Sequence, residues 1–462
     1  MNIYLTIKNI FIGVIAVFVS SSCDKFLDEK PNPQIVTPKT LDDLQLLLNA
    51  ANELNYNAYP GLSEITTDDY YLTTDVFNGL SEFYKSLYKF ESSSDFARAD
   101  INFHWRNPYK VILYANTILD ELPNMEGNNS VLRNEIKGGA LFFRAFCFYQ
   151  LAQIYAGVYV QDSQNNGLGI PIRVSSDFSV PTTRATIADT YGQILKDLQE
   201  ALSLLPTQVN VTTQPCRAAA LALLARIYLS IDDYTHAGLY ADRALMDKAK
   251  LIDYSTIDKS APIPFQRFND ETIFFAYSYG ATVLHPNRAN IDKGLYDMYS
   301  ENDLRKTVFF SQKSGGHYGF KGAYHGIIGN SYFIGLSTDE LYLIRAESRI
   351  RQGEAEKGLE DLNVLLEHRY DKSGFVPFQG LNDDEALQLV LDERRKQLLM
   401  RGLRFSDLRR LNKDTGFAKS ISRELVVGGE TVQYTLPPND QRYTFLIPQE
   451  VIVKTGIEQN PK

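Results

Sequence analysis

Apolar residues recur three and four positions apart through long stretches of this chain, most clearly over 217–245, RAAALALLARIYLSIDDYTHAGLYADRAL. Leu221, Leu224, Ala225 and Tyr228 fall on one face of a helix, because side chains at those spacings stack above one another. A polar break at 230–233 interrupts the pattern. A second helical run follows, with Ala237, Tyr240, Ala241 and Ala244 on one face. Ala225, Ala237 and Ala244 are small enough for two antiparallel helices to approach closely, and Leu224 and Tyr228 fill the space around them.

Twelve positions separate Ala225 from Ala237 and seven separate Ala237 from Ala244, a spacing that resembles the tetratricopeptide hairpin, whose period is about 34 residues. One hairpin cannot bury its own apolar face, so neighbours are expected. The stretch 336–370 supplies one: Ala346 and Gly358 are again twelve apart, Leu362, Leu365 and Leu366 follow, Gly353 marks the turn, and Ser337 and Glu340 have capping-box spacing. A third is split, with helices at 140–155 and 187–205 around an insertion at 156–186. Further helices are predicted at 105–122 and as a pair within 383–411, and a short one at 40–48 with Thr40 as its N-cap.

Two long stretches break this regularity. Residues 52–100 are rich in Tyr, Phe, Asp, Asn, Ser and Thr with weak periodicity, and read as loops and short helices. Residues 247–335 hold Pro262, Pro264, Pro286 and a run of glycines from Gly315 to Gly329, with a short strand read at 273–277 and a helix within 292–310. Near the end, RELVVGG and TVQYTL have strand character. The expected fold is mostly α: a tetratricopeptide-like helical-repeat scaffold with large irregular, loop-rich insertions. Loops on a rigid scaffold are where binding usually resides. The hairpins lie near 105–122, 140–205, 217–246, 336–370 and 383–411. The plain alternative is an ordinary helical bundle.

Composition narrows the partners. The 462 residues carry a net charge of −9 and no basic run, which disfavours nucleic acid, since phosphate binding needs clustered Lys and Arg. Residues 1–22 have a basic start at Lys8 and ten apolar residues at 10–19, which is signal-peptide length and too short to span a bilayer. Ser20, Ser21 and Ser22 then lead to Cys23, and small residues directly before a cysteine resemble a bacterial lipobox, although Ser20 stands where Leu is usual. Cys23 is therefore the expected lipidation site, 23–39 a proline-containing tether, and 40–462 a single domain. Cys147 and Cys216 show no metal spacing and read as buried thiols.

The order of several segments resembles the SusD/RagB family of outer-membrane nutrient-binding lipoproteins of the Bacteroidetes type. These are SSCDKFLDEKP at the anchor, KGGALFFRAFCFYQLAQIYAGVYV, the run of Thr183, Arg184, Ala185 and Thr186, RAAALALLARIYL, LSTDELYLIRAESRIRQG with EDLNVLLEHRY, LDERRKQLLMRGLRFSDLRRL, and FLIPQEVI with a closing QNP. Gln397 and Leu398 stand where the family often has Glu-Leu, and Tyr159 and Val160 where it often has Pro. The resemblance implies four tetratricopeptide-like hairpins carrying a loop-rich ligand site, a cell-surface lipid-anchored location, and a SusC-like TonB-dependent outer-membrane barrel as partner. It also implies an oligosaccharide, or a peptide in some members, as ligand, with no catalysis and no cofactor. It places 52–100 and 247–335 face to face.

A sugar ring stacks its C–H face on an aromatic ring while amides, acids and guanidinium groups bond its hydroxyls. On that chemistry the candidate ligand residues are Tyr70, Tyr71, Phe77 and Asn78 in the first region, and Tyr277, Tyr279, Asn287, Arg288, Tyr318 and Tyr324 in the second. Trp105 begins a helical pattern with Tyr109 and Ile112 and reads as core. Arg394, Arg395, Arg401, Arg404, Arg409 and Arg410, with Asp392, Glu393 and Asp407 nearby, read as structural ion pairing or a solvated face. His317 and His325 are weak as metal ligands, Asp68, Asp69 and Asp75 match no calcium-loop pattern, and no P-loop, GxGxxG or GxSxG occurs. Two other readings stand beside the nutrient-binding one. The first is a helical scaffold that binds only protein. The second is a secreted hydrolase, in which Asp68 or Asp69 would pair with another acid.

Overall fold

The structure is a computed structural model that describes residues 38–91 and 99–461. The expected signal segment 1–22, Cys23 and the tether as far as residue 37 lie outside the described residues. Among the described residues the longer helices are α1 (Leu41–Leu48), α2 (Glu82–Tyr88), α3 (Ala99–Glu121), α4 (Ser130–Tyr155), α5 (Ile187–Leu204) and α6 (Arg217–Ser230). They continue with α7 (Tyr234–Asp247), α8 (Thr338–Arg351), α9 (Ala355–Glu367), α10 (Asp383–Gln397), α11 (Arg404–Leu411) and α12 (Gln449–Thr455). Strands are short and occur as two-stranded pairs, so the fold is mostly α, as expected.

From α3 to α9 each helix packs on the next, and α10 packs on α8 and α9. The stack follows from the small-residue stripes. Ala225, Ala237, Ala241 and Ala244 are fully buried where α6 meets α7, and every residue of α6 after Arg217 is buried. The hairpin turn is closed by Asp233, whose carboxylate accepts the His236 amide at 3.1 Å. Thr186 caps α5 and Asn129 caps α4 in the same way. The Asn129 cap starts α4 at Ser130, ten residues before the apolar run that marks it in the sequence.

Arginine–carboxylate forks tie neighbouring helices together inside the stack. Arg144 on α4 reaches Asp197 on α5 at 2.7 Å through two nitrogens. Arg226 on α6 reaches Glu340 on α8 at 2.8 and 2.6 Å. Arg345 on α8 reaches Asp361 on α9, and Arg410 on α11 reaches Glu347 on α8. Glu340 is thereby taken, and the Ser337 hydroxyl donates to Asp339, so the capping box expected at Ser337 and Glu340 does not form. A capping box does form at Asn382 and Glu385, opening α10. The arginines of 394–410 are structural, as expected: Arg394 pairs with Asp407, Arg401 with Asp339, and Arg409 donates to the carbonyls of Gln153 and Ala156. Trp105, Cys147 and Cys216 are buried.

The strand read at 273–277 is two short strands, Thr272–Phe274 and Tyr277–Ser278, and the helix read within 292–310 is two single turns, Lys293–Asp297 and Arg305–Phe309. The segments RELVVGG and TVQYTL form one antiparallel hairpin, Ile421–Val427 with Glu430–Leu436. Its Phe90, Phe405 and Tyr443 neighbours make a small second core. No described helix is long and apolar enough to cross a membrane.

Candidate functional site

Two short strand pairs zip the irregular regions together. Tyr56–Tyr59 runs parallel to Tyr277–Ser278, and Tyr70–Tyr71 runs antiparallel to Asn290–Ile291. The Asn55 amide fastens the first junction by donating to the carbonyls of Phe275 at 2.8 Å and Thr213 at 3.0 Å. The backbone then comes unusually close. The Tyr279 amide donates to the Tyr59 carbonyl at 2.8 Å, and a Cβ on Gly61 would sit 2.0 Å from the Tyr279 carbonyl oxygen. Only glycine fits there. The Gly61 amide donates to His104 Nδ1 on α3 at 2.9 Å, and burial pushes that imidazole down to about 3, so it is neutral and accepts.

This junction opens into a cleft of about 520 Å³, walled by Asn57, Ser81, Tyr84, Tyr279, Thr282, Arg288 and Asn330. Asn57 holds φ 52°, a left-handed turn for a non-glycine residue. The Tyr279 ring is held from behind, stacked on Phe103 at 4.8 Å with 24° between planes and edge-on to His104 at 5.3 Å. Asn330 also borders a second, inner chamber of about 390 Å³, whose walls include Leu284, Asn287, Phe320, Tyr324, His325, Tyr332 and Met400. Gly280 makes the partition possible, since a Cβ there would lie 2.3 Å from Asn330 Oδ1. Among the described residues no Asp or Glu lines either cavity.

Asp68 and Asp69 are held in buried ion pairs and line neither cavity. Asp68 accepts two bonds from Arg404 at 2.7 and 2.9 Å and one from Lys419 at 2.7 Å. Burial alone would raise its carboxyl, but Arg404, Arg395 and Lys419 overcome this and hold it well below the usual range. Asp69 pairs with Arg395 at 2.8 Å. Neither is free to act as a paired acid and base or to hold a cation. Beside them, burial and then Asp69 push Glu64 up to about 8.

The sequence-predicted residues divide. Tyr279 and Arg288 line the open cleft, and Asn287 and Tyr324 the inner chamber. Asn78 is exposed beside Gly79 of the cleft wall. Tyr70 and Phe77 are corrected to core: the Tyr70 hydroxyl donates to the Ile65 carbonyl at 2.8 Å, and Phe77 packs on Tyr88. The Tyr324 hydroxyl is likewise spoken for, donating to Glu271 at 2.6 Å with Arg401 3.7 Å over its ring, so it offers a wall and no hydroxyl. Tyr277 stacks on Tyr56 at 5.1 Å. Tyr71 bonds His317 Nδ1 at 2.6 Å and Tyr318 stacks on Tyr296 at 3.7 Å, and both stand outside the two cavities. Asn57, Ser81, Tyr84 and Asn330 escape sequence reasoning, because no motif surrounds them and their places depend on backbone turns.

A larger groove of about 590 Å³ lies between α3, the 171–182 loop and α12. Of its aromatic residues Trp105 is buried, the Tyr109 hydroxyl donates to the Pro171 carbonyl at 2.8 Å, and Phe178 is exposed. The open cleft, with its supported ring and surrounding amides and hydroxyls, is the candidate ligand site.

Two family models match the chain. Residues 25–229 match one described as "Starch-binding associating with outer membrane", and 338–462 match the SusD family. Among curated proteins, SusD-like protein P2 of Formosa agariphila is 23% identical over 66% of this chain and 71% of its own length. SusD-like protein P25 of the same organism is 25% identical over 33% of this chain, spanning about a third (31%) of its own length. A SusD superfamily crystal structure from Bacteroides thetaiotaomicron superposes with TM-score 0.73 at 22% identity, covering 92% of this chain and 100% of the other. A SusD-like carbohydrate binding protein from Bacteroides vulgatus gives 0.69 at 20%, covering 91% and 97%. With the stacked hairpins and the zipped loop regions, these matches establish that the chain belongs to the SusD/RagB family.

Proposed function

We propose that this chain is a surface-exposed, lipid-anchored protein of the outer membrane that captures an oligosaccharide and passes it to a SusC-like TonB-dependent barrel. The observation that carries the ligand class is the open cleft. Among the described residues it presents one braced aromatic face, Tyr279, surrounded by the uncharged amides of Asn57 and Asn330 and the hydroxyls of Ser81 and Thr282, with a single guanidinium, Arg288, and no carboxylate. Such a wall suits a neutral polyhydroxylated ring, which stacks on its C–H face and exchanges hydrogen bonds around its edge. Hydrolysis of a glycosidic bond needs two carboxyl groups across the bond, and none is among the described residues of either wall. The family and the name of the Bacteroides vulgatus neighbour support the same class. The anchor at Cys23 and the barrel partner rest on the family resemblance.

Isothermal titration of the chain from Asp24 against neutral plant and host oligosaccharides and short peptides tests the reading. Saturable oligosaccharide binding that Tyr279→Ala weakens is the expected result. Binding confined to peptides, or none, refutes the ligand class. Co-purification with a tagged barrel tests the partner separately.

A further inference from the structure

Of the described residues that wall the open cleft, Arg288 alone is charged; the rest are amides, hydroxyls, tyrosines, a leucine and glycines. Its backbone is fixed. The amides of Arg288 and Ala289 donate to the His285 carbonyl at 2.7 and 3.0 Å, and the strand that follows, Asn290–Ile291, is paired with Tyr70–Tyr71. Its guanidinium is not. The residue is exposed, and the head group makes a single hydrogen bond, at 3.5 Å, to the Thr282 carbonyl. That length is the outer limit of such a bond, so nearly all of its N–H donors are unspent.

Arginines elsewhere around the two loop regions are committed. Arg395 and Arg404 are held by Asp69 and Asp68, Arg423 by three carbonyls, and Arg267 lies over the rings of Tyr56, Phe268 and Phe275 at 5.0 to 5.4 Å. Among the described residues Arg288 has no carboxylate partner and no ring contact. A positive charge with no counter-charge in the same walls draws anions into the cleft, although the chain as a whole carries −9. A guanidinium pairs best with a carboxylate, whose two oxygens match its planar fork. A sugar hydroxyl takes one bond and leaves the charge unmatched.

We propose, resting on the reading of the open cleft as a sugar site, that Arg288 selects an acidic sugar. The ligand carries a carboxylate, as in a uronic acid, which pairs with this guanidinium at the edge of the cleft while an uncharged C–H face stacks on Tyr279.

The test is titration calorimetry of the full chain against matched pairs: cellotetraose and cellotetraouronate, mannotetraose and tetramannuronate, and xylotetraose without and with a glucuronate branch. The readout is the ratio of affinities within each pair that binds. A charge-assisted pair at a partly open site predicts a preference for the acidic member of about fivefold or more, which shrinks as salt rises from about 50 to about 500 mM. Arg288→Gln brings the ratio to within about twofold of unity, and an unchanged urea midpoint shows that this exposed substitution leaves the fold intact. Lys293→Gln removes the same charge from an exposed residue paired with Asp297 outside both cavities, and keeps the preference. Equal or tighter binding of the neutral member in every pair that binds, a preference that survives Arg288→Gln, or its loss in Lys293→Gln overturns the proposal while leaving the cleft a sugar site. Absence of binding to all six overturns it together with the proposed function.

Discussion

Replacing Gly61 by Ala tests whether the close approach of two loop regions builds the cleft. The added Cβ would stand 2.0 Å from the Tyr279 carbonyl oxygen and 3.3 Å from its carbon. An ordinary carbon–oxygen contact is about 3.3 Å, so the two backbones must part by roughly 1.3 Å. Two hydrogen bonds stand in the way, Gly61 N–H to His104 Nδ1 at 2.9 Å and Tyr279 N–H to the Tyr59 carbonyl at 2.8 Å. Overpacking of this kind is worth about 1–3 kcal/mol, and each strained or lost bond about 1 kcal/mol, which gives about 3–5 kcal/mol of destabilisation. The same movement displaces Tyr279 and so weakens ligand binding in whatever fraction remains folded. Gly79→Ala, in the same cleft wall, is the control, since its nearest contacts are 3.6 and 3.8 Å and it should change stability by under about 0.5 kcal/mol. Urea unfolding of the three proteins, with slopes compared, is the assay. A Gly61→Ala protein as stable as the Gly79→Ala control would refute the argument that these backbones are locked in contact.

Three further outcomes follow from the same geometry. Tyr279→Ala should weaken oligosaccharide binding about tenfold or more while Tyr318→Ala, stacked on Tyr296 outside both cavities, leaves it within about twofold; equal losses by titration would discredit the cleft as the site. Glu340→Gln strands the buried Arg226 guanidinium, with 3% of each side chain exposed, and should cost about 3–5 kcal/mol in denaturant unfolding; a change below about 1 kcal/mol would show that the fork holds nothing. Glu64, raised by burial and by Asp69 to about 8 from an unfolded value near 4.5, favours folding most when protonated. Its contribution is complete below pH 4.5 and lost as pH rises to 8, with a slope of up to about 1.4 kcal/mol per pH unit. Unfolding free energies measured from pH 5 to 8 should therefore fall more steeply in the parent than in Glu64→Gln, and parallel curves would contradict the shift.

The helical stack was legible because its signal is local. Ala225, Ala237 and Ala244 announce a close hairpin by spacing alone, and the arginines of 394–410 announce ion pairs by their density among acids. Which acids they choose was not legible, since Arg395 and Arg404 reach Asp69 and Asp68 more than 300 positions away. The site suffered from the same distance. Tyr70 and Tyr279 look alike in sequence, yet one hydroxyl is buried against a carbonyl and the other ring faces a cavity. The difference is set by strands of two to four residues that pair across about 220 positions. Ser337 and Glu340 had the right spacing for a cap and lost their partners to Asp339 and Arg226, because buried guanidinium groups compete more strongly than a helix end.

Arg423 sits in the final hairpin and donates to the carbonyls of Tyr88, Ile65 and Thr67, with the rings of Tyr88 and Phe90 4.0 and 4.6 Å from its guanidinium. A chain made from its N-terminus has therefore released the whole first loop region some 330 residues before the arginine that gathers it arrives. Until then the carbonyls of Tyr88 and Thr67 lack its guanidinium, and the carboxylates of Asp68 and Asp69 wait almost as long for Arg404 and Arg395. Final assembly of the first loop region is thus a late event in the life of each molecule, governed by contacts of very long sequence separation, which form slowly. Shortening the chain by its last forty residues would leave the Tyr279 ring and the helical stack translated in full, and the first loop region without the arginine that gathers its carbonyls.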